Sequence, residues 1–433
     1  MKRFILIHSL FLSILVSSCS VFFNLITHYD YKKMETGFCL ASYNDEVVIG
    51  SACTDNPAGM ITILRKEGSL WTVKQVIDMQ DFAYKKRCPM NFALNDKYLV
   101  AGLDNMTGKP GVIIVFRKKE GKWEKAFIIN SPLKENDDLF GYSLAIFEDK
   151  LLVGTEAGKN GGKAYLYKLC EDNFHLDKIF YPPEMDLNRK FGRLVLMGAE
   201  YIVISDPWIY HELDNEKNGV HGTVYIYDRK TFRLVNIINN AKIAEGTYYS
   251  WLGTKGILDE SNLFLTIRGE RKVKFFNLQN ENICNNRSQN IVNLNYDPVG
   301  SLSYWGETGV DFFGNNLVCG NTIYNMKDGI LTKRDELSGY PIECVHLKGN
   351  LLVYSTSEHD NQAERREQRE KLEEHNKKTY GLPEPEVEKP LNMGRVHIVR
   401  LLPEKGYEEE AIIARRTNPE GKIEFYDMLH DED

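Results

Sequence analysis

The chain has no excess of positive charge. It carries 54 Lys and Arg against 61 Asp and Glu in 433 residues, a formal net charge of −7. The basic residues cluster only in one insertion, so the electrostatic footprint of a nucleic-acid binder is missing and that class is excluded. No CxxC pair or His/Cys cluster occurs, which removes a zinc site. No G-x-S-x-G, HExxH, phosphate-binding loop or dinucleotide fingerprint appears, and the ten His residues are isolated. Local catalytic signatures are therefore absent, although a site assembled from distant segments would leave none. A core is not lacking. With 42% hydrophobic and 27% charged residues, the composition is that of a globular chain and not of a disordered one.

The first residues differ in kind from the rest. Met1-Lys2-Arg3 is followed by an apolar run from Phe4 to Val16 and then by Ser17-Ser18-Cys19. That order is the layout of a secretory signal peptide, so residues 1–19 are set apart from the fold. Small residues directly before a cysteine also resemble the lipobox of bacterial lipoproteins, which implies lipidation of Cys19. Ordinary cleavage nearby is a second route. An uncleaved anchor is a third, because apolar character continues through Val21, Phe22, Phe23, Leu25 and Ile26. All three routes place the remaining chain outside the cytoplasm, and two of them tie it to a membrane. The other cysteines are Cys39, Cys53, Cys88, Cys170, Cys284, Cys319 and Cys344. Their scattered spacing reads as buried thiols more than as a disulfide framework.

An internal repeat organises the body. Phe140 to Gly154 reads as strand, tight turn, strand: apolar residues alternate to Phe147, Glu148-Asp149 turns the chain, and Leu151-Leu152-Val153 resumes a buried run. The same frame recurs seven times with its ends thirteen residues apart, at Gly37/Gly50, Pro89/Gly102, Gly141/Gly154, Gly192/Ser205, Gly253/Thr266, Gly306/Cys319 and Pro341/Tyr354. Turn formers stand at Asn44-Asp45, Asn95-Asp96, Gly314-Asn315 and Gly349-Asn350. Start-to-start spacings are 52, 52, 51, 61, 53 and 35 residues. A third alternating strand follows most hairpins, as in Gly111 to Phe116 and Gly222 to Tyr227, and a fourth follows at Trp71 to Ile77 and Trp123 to Ile129. Four strands in about fifty residues is the period of a propeller blade. The expectation is an all-β fold, a seven-bladed β-propeller of four-stranded antiparallel blades spanning residues 37–402. Residues 20–36 and the tail 403–433 flank it. Either Leu25 to Tyr31 or a tail strand near Lys422 to Tyr426 could complete the seventh blade.

Phe140-Gly141 and Phe191-Gly192, with Leu252-Gly253 and Trp305-Gly306 as variants, resemble the start of FG-GAP repeats, the blades of integrin-α-like propellers. Arg65-Lys66-Glu67-Gly68 leading to Trp71, and Arg117 to Gly121 leading to Trp123, match that family's strand–Gly–Trp ending. Calcium-binding members carry an Asp-rich loop between the first two strands. Here that connection has shrunk to two residues, too few for six to eight oxygen ligands. The resemblance therefore implies the calcium-free type, with no metal and no cofactor.

Propellers act through their loops or channel, so interruptions of the repeat are where function is sought. The first is the insertion from Asp206 to His221, in which Trp208, Tyr210, His211 and Asp214 could form a partner-binding patch. Packing of Trp208 and Tyr210 back onto the blade rim is the competing reading. The second is residues 360–390, whose Ala363 to Glu374 stretch is rich in helix formers of mixed charge without an apolar stripe. Asn105 and Asn286 stand in glycosylation-acceptor patterns. Taken together the sequence predicts a monomeric, extracytoplasmic module that holds a protein or glycan on its loop face and does not catalyse a reaction. A propeller-fold hydrolase or lyase acting on glycans, and a structural envelope component, are the alternatives.

Overall fold

The structure is a computed structural model. It describes residues 36–51, 59–79, 91–103, 110–132, 139–155, 161–170, 173–183, 189–208, 210–211, 219–220, 222–239, 251–267, 272–279, 291–293, 310–319, 321–327, 330–337, 342–356, 395–403, 406–417, 423–427 and 430. Within these residues the chain is all-β, and the strands form a seven-bladed propeller. Blade one holds β1 (Thr36–Tyr43), β2 (Glu46–Ser51), β3 (Met60–Glu67) and β4 (Leu70–Asp78). Blade two holds β5 (Asn91–Leu94), β6 (Tyr98–Leu103), β7 (Val112–Lys119) and β8 (Lys122–Asn130). Blade three holds β9 (Ser143–Phe147), β10 (Lys150–Gly154), β11 (Ala164–Cys170) and β12 (Asn173–Phe180). In blade four, β13 (Val195–Met197) and β14 (Tyr201–Asp206) are separated from β17 (Thr223–Asp228) and β18 (Leu234–Asn239) by a small ladder of β15 (Tyr210–His211) and β16 (Gly219–Val220).

Blade five holds β19 (Leu252–Asp259), β20 (Asn262–Ile267), β21 (Lys272–Asn277) and β22 (Ile291–Asn293). Blade six holds β23 (Val310–Phe313), β24 (Asn316–Cys319), β25 (Thr322–Lys327) and β26 (Ile330–Glu336). Blade seven has five strands: β27 (Ile342–Lys348), β28 (Leu351–Thr356), β29 (Arg395–Leu401), β30 (Tyr407–Thr417) and β31 (Ile423–Asp427). The blade-seven sheet therefore runs past residue 402, and its fourth and fifth strands come from the tail. β30 was hidden in the sequence because Glu408-Glu409-Glu410 interrupts the apolar alternation that marks a strand. Leu25 to Tyr31 lies outside the described residues.

Each first hairpin closes with two residues: Asn44-Asp45, Asp96-Lys97, Glu148-Asp149, Ala199-Glu200, Glu260-Ser261, Gly314-Asn315 and Gly349-Asn350. The second turn sits one residue later than the Asn95-Asp96 read from the sequence. The Asn95 carboxamide oxygen accepts from the backbone N–H groups of Lys97 (3.0 Å) and Tyr98 (2.9 Å), so Asn95 brackets the turn from outside. Because strands alternate in direction, all seven of these turns lie at one end of the ring. The connections from second to third strand, and from one blade to the next, lie at the other.

The core sits between blades. On each first strand, the residue three before the turn faces the next blade, and the residue two before it faces the previous one. The facing pairs share one cluster each: Ala41 with Leu94, Ala93 with Ile146, Ala145 with Met197, Leu196 with Leu258, and Ile257 with Phe312. The ring closes by packing blade seven on blade one, where Leu351, Val353, Val396 and Ile398 meet Leu40, Val47, Ile49 and Trp71.

The Phe-Gly motif docks one blade on the next. Phe140 and Phe191 are fully buried. Their rings meet Tyr165 at 5.4 Å and Tyr225 at 5.5 Å in the tilted or edge-on geometries that aromatic quadrupoles favour. Gly141 and Gly192 take φ of +91° and +94°, which only glycine adopts without cost. A Cβ on Gly154 would lie 2.0 Å from the Gly192 carbonyl oxygen, so backbone meets backbone at this seam.

Candidate functional site

The insertion in blade four leaves the sheet at the end of β14. Asp206, the last residue of that strand, is fully buried. One carboxylate oxygen accepts from the Lys190 backbone N–H at 2.9 Å, and the other lies 3.8 Å from the Arg189 guanidinium. Arg189 also donates to the Tyr225 hydroxyl at 3.3 Å. A buried carboxylate requires such partners, and here they fix the segment that enters blade four. Lys190 is thereby set with its ammonium 5.7 Å from the centre of the Trp208 ring.

Trp208 follows Asp206-Pro207 and stacks on Trp251, with ring centres 5.6 Å apart and planes 19° from parallel. Trp251 belongs to the next connection, directly before β19, and takes a left-handed φ of 44°. Such a φ is uncommon for a bulky residue. Gly222, at the return of the insertion, also has positive φ, and a Cβ there would lie 2.7 Å from the Leu252 backbone. Both ends of the insertion are thus held against the blade-five entry. Despite the stacking, Trp208 keeps 36% of its surface exposed. Trp251 and Lys190 hold it on one side, and the remainder faces solvent.

Of the other residues singled out in the insertion, Tyr210 pairs with Val220 and His211 with Gly219 in the β15–β16 ladder. Asp214 lies outside the described residues, as do Cys19, Asn105, Asn286 and the 360–390 insertion. Trp251 and Lys190 gave no signal in the sequence. Each sits beside a repeat start, at Leu252-Gly253 and Phe191-Gly192, where it reads as framework. Tyr181, on the connection from blade three to blade four, is a second exposed aromatic on this side, with the Lys163 ammonium 5.9 Å from its ring centre. Among the described residues no group of three His, Cys, Asp or Glu is placed to hold a metal ion. Among them, too, no helix is long and apolar enough to cross a membrane.

No family model matches the sequence, and no curated protein matches it. Among solved structures the chain is similar to BamB from Moraxella catarrhalis, at 11% identity over 75% of this chain and 83% of that one, with a TM-score of 0.42. It is also similar to a protein from Bacteroides uniformis ATCC 8492 described as a 6-phosphogluconolactonase, at 12% identity over 69% of this chain and 83% of that one, with a TM-score of 0.45. At these scores the likenesses carry no argument about what this chain does.

Proposed function

We propose that this protein is an exported, membrane-anchored propeller of the calcium-free FG-GAP type that binds a protein or glycan partner through the face opposite its tight turns. The observation that carries the reading is the half-exposed Trp208, held in place by Trp251 and Lys190 at the end of the ring where the repeat is interrupted. A large aromatic held rigid yet open to solvent loses little conformational entropy on binding and contributes much contact area. Anchoring rests on the apolar leader and Cys19, and the FG-GAP reading on the Phe-Gly starts and the strand–Gly–Trp endings quoted above.

The test compares wild type with Trp208→Ala on a glycan array and in photo-crosslinking on intact cells, with Asn315→Ala on the turn face as control. Trp208→Ala is expected to abolish saturable binding while leaving the melting temperature within a few degrees, since the residue is partly exposed. Binding that survives in Trp208→Ala, or is lost equally in Asn315→Ala, overturns the assignment. For the anchor, a palmitate analogue is expected to label wild type and not Cys19→Ala. An unlabelled, freely secreted protein rejects lipidation. Calcium is expected to leave the melting temperature unchanged.

A further inference from the structure

Among the described residues only two aromatic side chains are exposed, Tyr181 at 45% and Trp208 at 36%. Both lie at the end of the ring opposite the two-residue turns, and each has a lysine ammonium over its ring. Lys163 stands 5.9 Å from the Tyr181 ring centre and Lys190 5.7 Å from that of Trp208. The chain as a whole carries a net charge of −7, so a cation at each open ring runs against the average of its composition.

Lys163 is only 6% exposed, a depth at which an ammonium group ordinarily requires a counter-charge. Among the described residues no carboxylate supplies one. The hydrogen bonds of Lys163 are made by its backbone. Its N–H donates to Thr155 Oγ1 at 2.7 Å, and its carbonyl accepts from the Thr155 N–H and hydroxyl at 3.0 Å each. The ammonium nitrogen is not one of the partnerless polar atoms sealed from solvent, so it opens to water beside the Tyr181 ring. Its carrier backbone is fixed. Gly162 bridges Phe191, and a Cβ on Gly192 would lie 2.3 Å from the Lys163 carbonyl oxygen. Lys190, next to the same bridge, has its own N–H bonded to Asp206. Both cations are thus carried by one rigid seam between blades three and four, which lowers the ordering cost of binding there.

We propose that this seam binds an acidic glycan, a chain containing uronic acids, with Lys163 pairing a sugar carboxylate and Tyr181 and Trp208 serving as stacking platforms. The proposal rests on the loop-face reading above and adds the chemical class of the ligand. A pyranose ring presents C–H groups on its flat faces, and these complement the negative face of an aromatic ring. A ligand carboxylate supplies the counter-charge that the described fold leaves out at Lys163, in a partly desolvated place where such a pair is strong. Lys190 sets a second positive charge at Trp208, so a chain with repeated carboxylates meets a cation at each ring. A neutral glycan leaves Lys163 without its counter-charge. An acidic peptide satisfies Lys163 but lacks the repeated flat C–H faces that suit the two rings.

The test titrates the full chain by calorimetry with oligogalacturonate, and with the same oligomer after its carboxyl groups are reduced to alcohols. Wild type is expected to bind the acid form about tenfold or more tighter than the reduced form, the worth of one hydrogen bond to a charged group. Lys163→Met should erase that preference. Its melting temperature should hold or rise, because an apolar side chain replaces a buried ammonium that has no carboxylate. Tyr181→Ala should weaken both oligomers, and Asn315→Ala neither. Equal affinity for the two oligomers, no binding of either, or a preference that persists in Lys163→Met overturns the proposal. A melting temperature that falls in Lys163→Met marks a structural cation and overturns it too, as does oligoglutamate bound as tightly as oligogalacturonate. If the oligomers bind equally and Trp208→Ala still abolishes binding, the loop-face reading stands and only the acidic class falls. Binding that survives Trp208→Ala removes the loop-face reading itself.

Discussion

The indole N–H of Trp123 in blade two donates to the carboxylate of Glu46 in blade one at 3.2 Å. The same carboxylate receives the Lys118 ammonium at 2.5 Å and the Arg65 guanidinium at 3.2 Å. Fifty-two positions earlier the arrangement recurs: Lys66 (2.6 Å) and the Trp71 indole (2.9 Å) meet Glu410 of blade seven, which Arg400 also contacts. The Lys and Trp of each ending are thus a staple onto the preceding blade, and Glu46 and Glu410 are its receptors.

Trp123→Phe keeps the ring packing and deletes one donor to a nearly buried carboxylate. It should cost about 1–3 kcal/mol, read from the denaturant midpoint. Glu46→Ala should cost more, because it strands Lys118, Arg65 and Trp123 together. Equal midpoints for wild type and Trp123→Phe would show that the staple contributes nothing.

Burial by itself would raise the Glu410 pKa, but hydrogen bonds from Arg400, Lys66 and Trp71 outweigh it and hold the carboxyl down at about 2. The folded value lies below the unfolded one, so the stabilisation is complete above the ordinary value of 4.5 and is lost as pH falls toward 2. Melting temperature measured across that window should fall less steeply in Glu410→Gln than in wild type. The two proteins should differ most near neutral pH, and parallel curves would contradict the linkage.

Two glycine substitutions separate crowding from backbone strain. Gly154→Ala sets a Cβ 2.0 Å from the Gly192 carbonyl oxygen and 2.2 Å from Ser143 Oγ, an overpacking that should cost about 1–3 kcal/mol. Gly314→Ala meets nothing within 4 Å but sits at φ +60°, so it should cost only about 1–2 kcal/mol for the left-handed conformation. Chemical denaturation should rank the first as the more harmful, and the reverse order would contradict the backbone seam.

The outer strand β18 of blade four, Leu-Val-Asn-Ile-Ile-Asn, carries no charge and exposes Leu234, Val235 and Ile237. Among the described residues β18 is the last strand of its sheet, and an apolar edge of this kind templates intermolecular pairing. Val235→Lys should slow aggregation under mild heating, read by light scattering, without lowering the melting temperature. Unchanged aggregation would show that this edge is not the template.

What the sequence determined by itself was local. Alternation, a two-residue turn and a buried triplet define each first hairpin within fifteen residues, so seven copies announce seven blades. The same locality explains what was missed. β30 breaks alternation with three glutamates because Glu410 answers to Lys66 and Trp71, 344 and 339 residues away. Trp208 was visible as an aromatic in an insertion, but Trp251 and Lys190 looked like framework until the fold set them beside it. Strand pattern depends on neighbours along the chain, whereas the chemistry of a propeller depends on which blades touch, and that is decided when the last blade packs on the first.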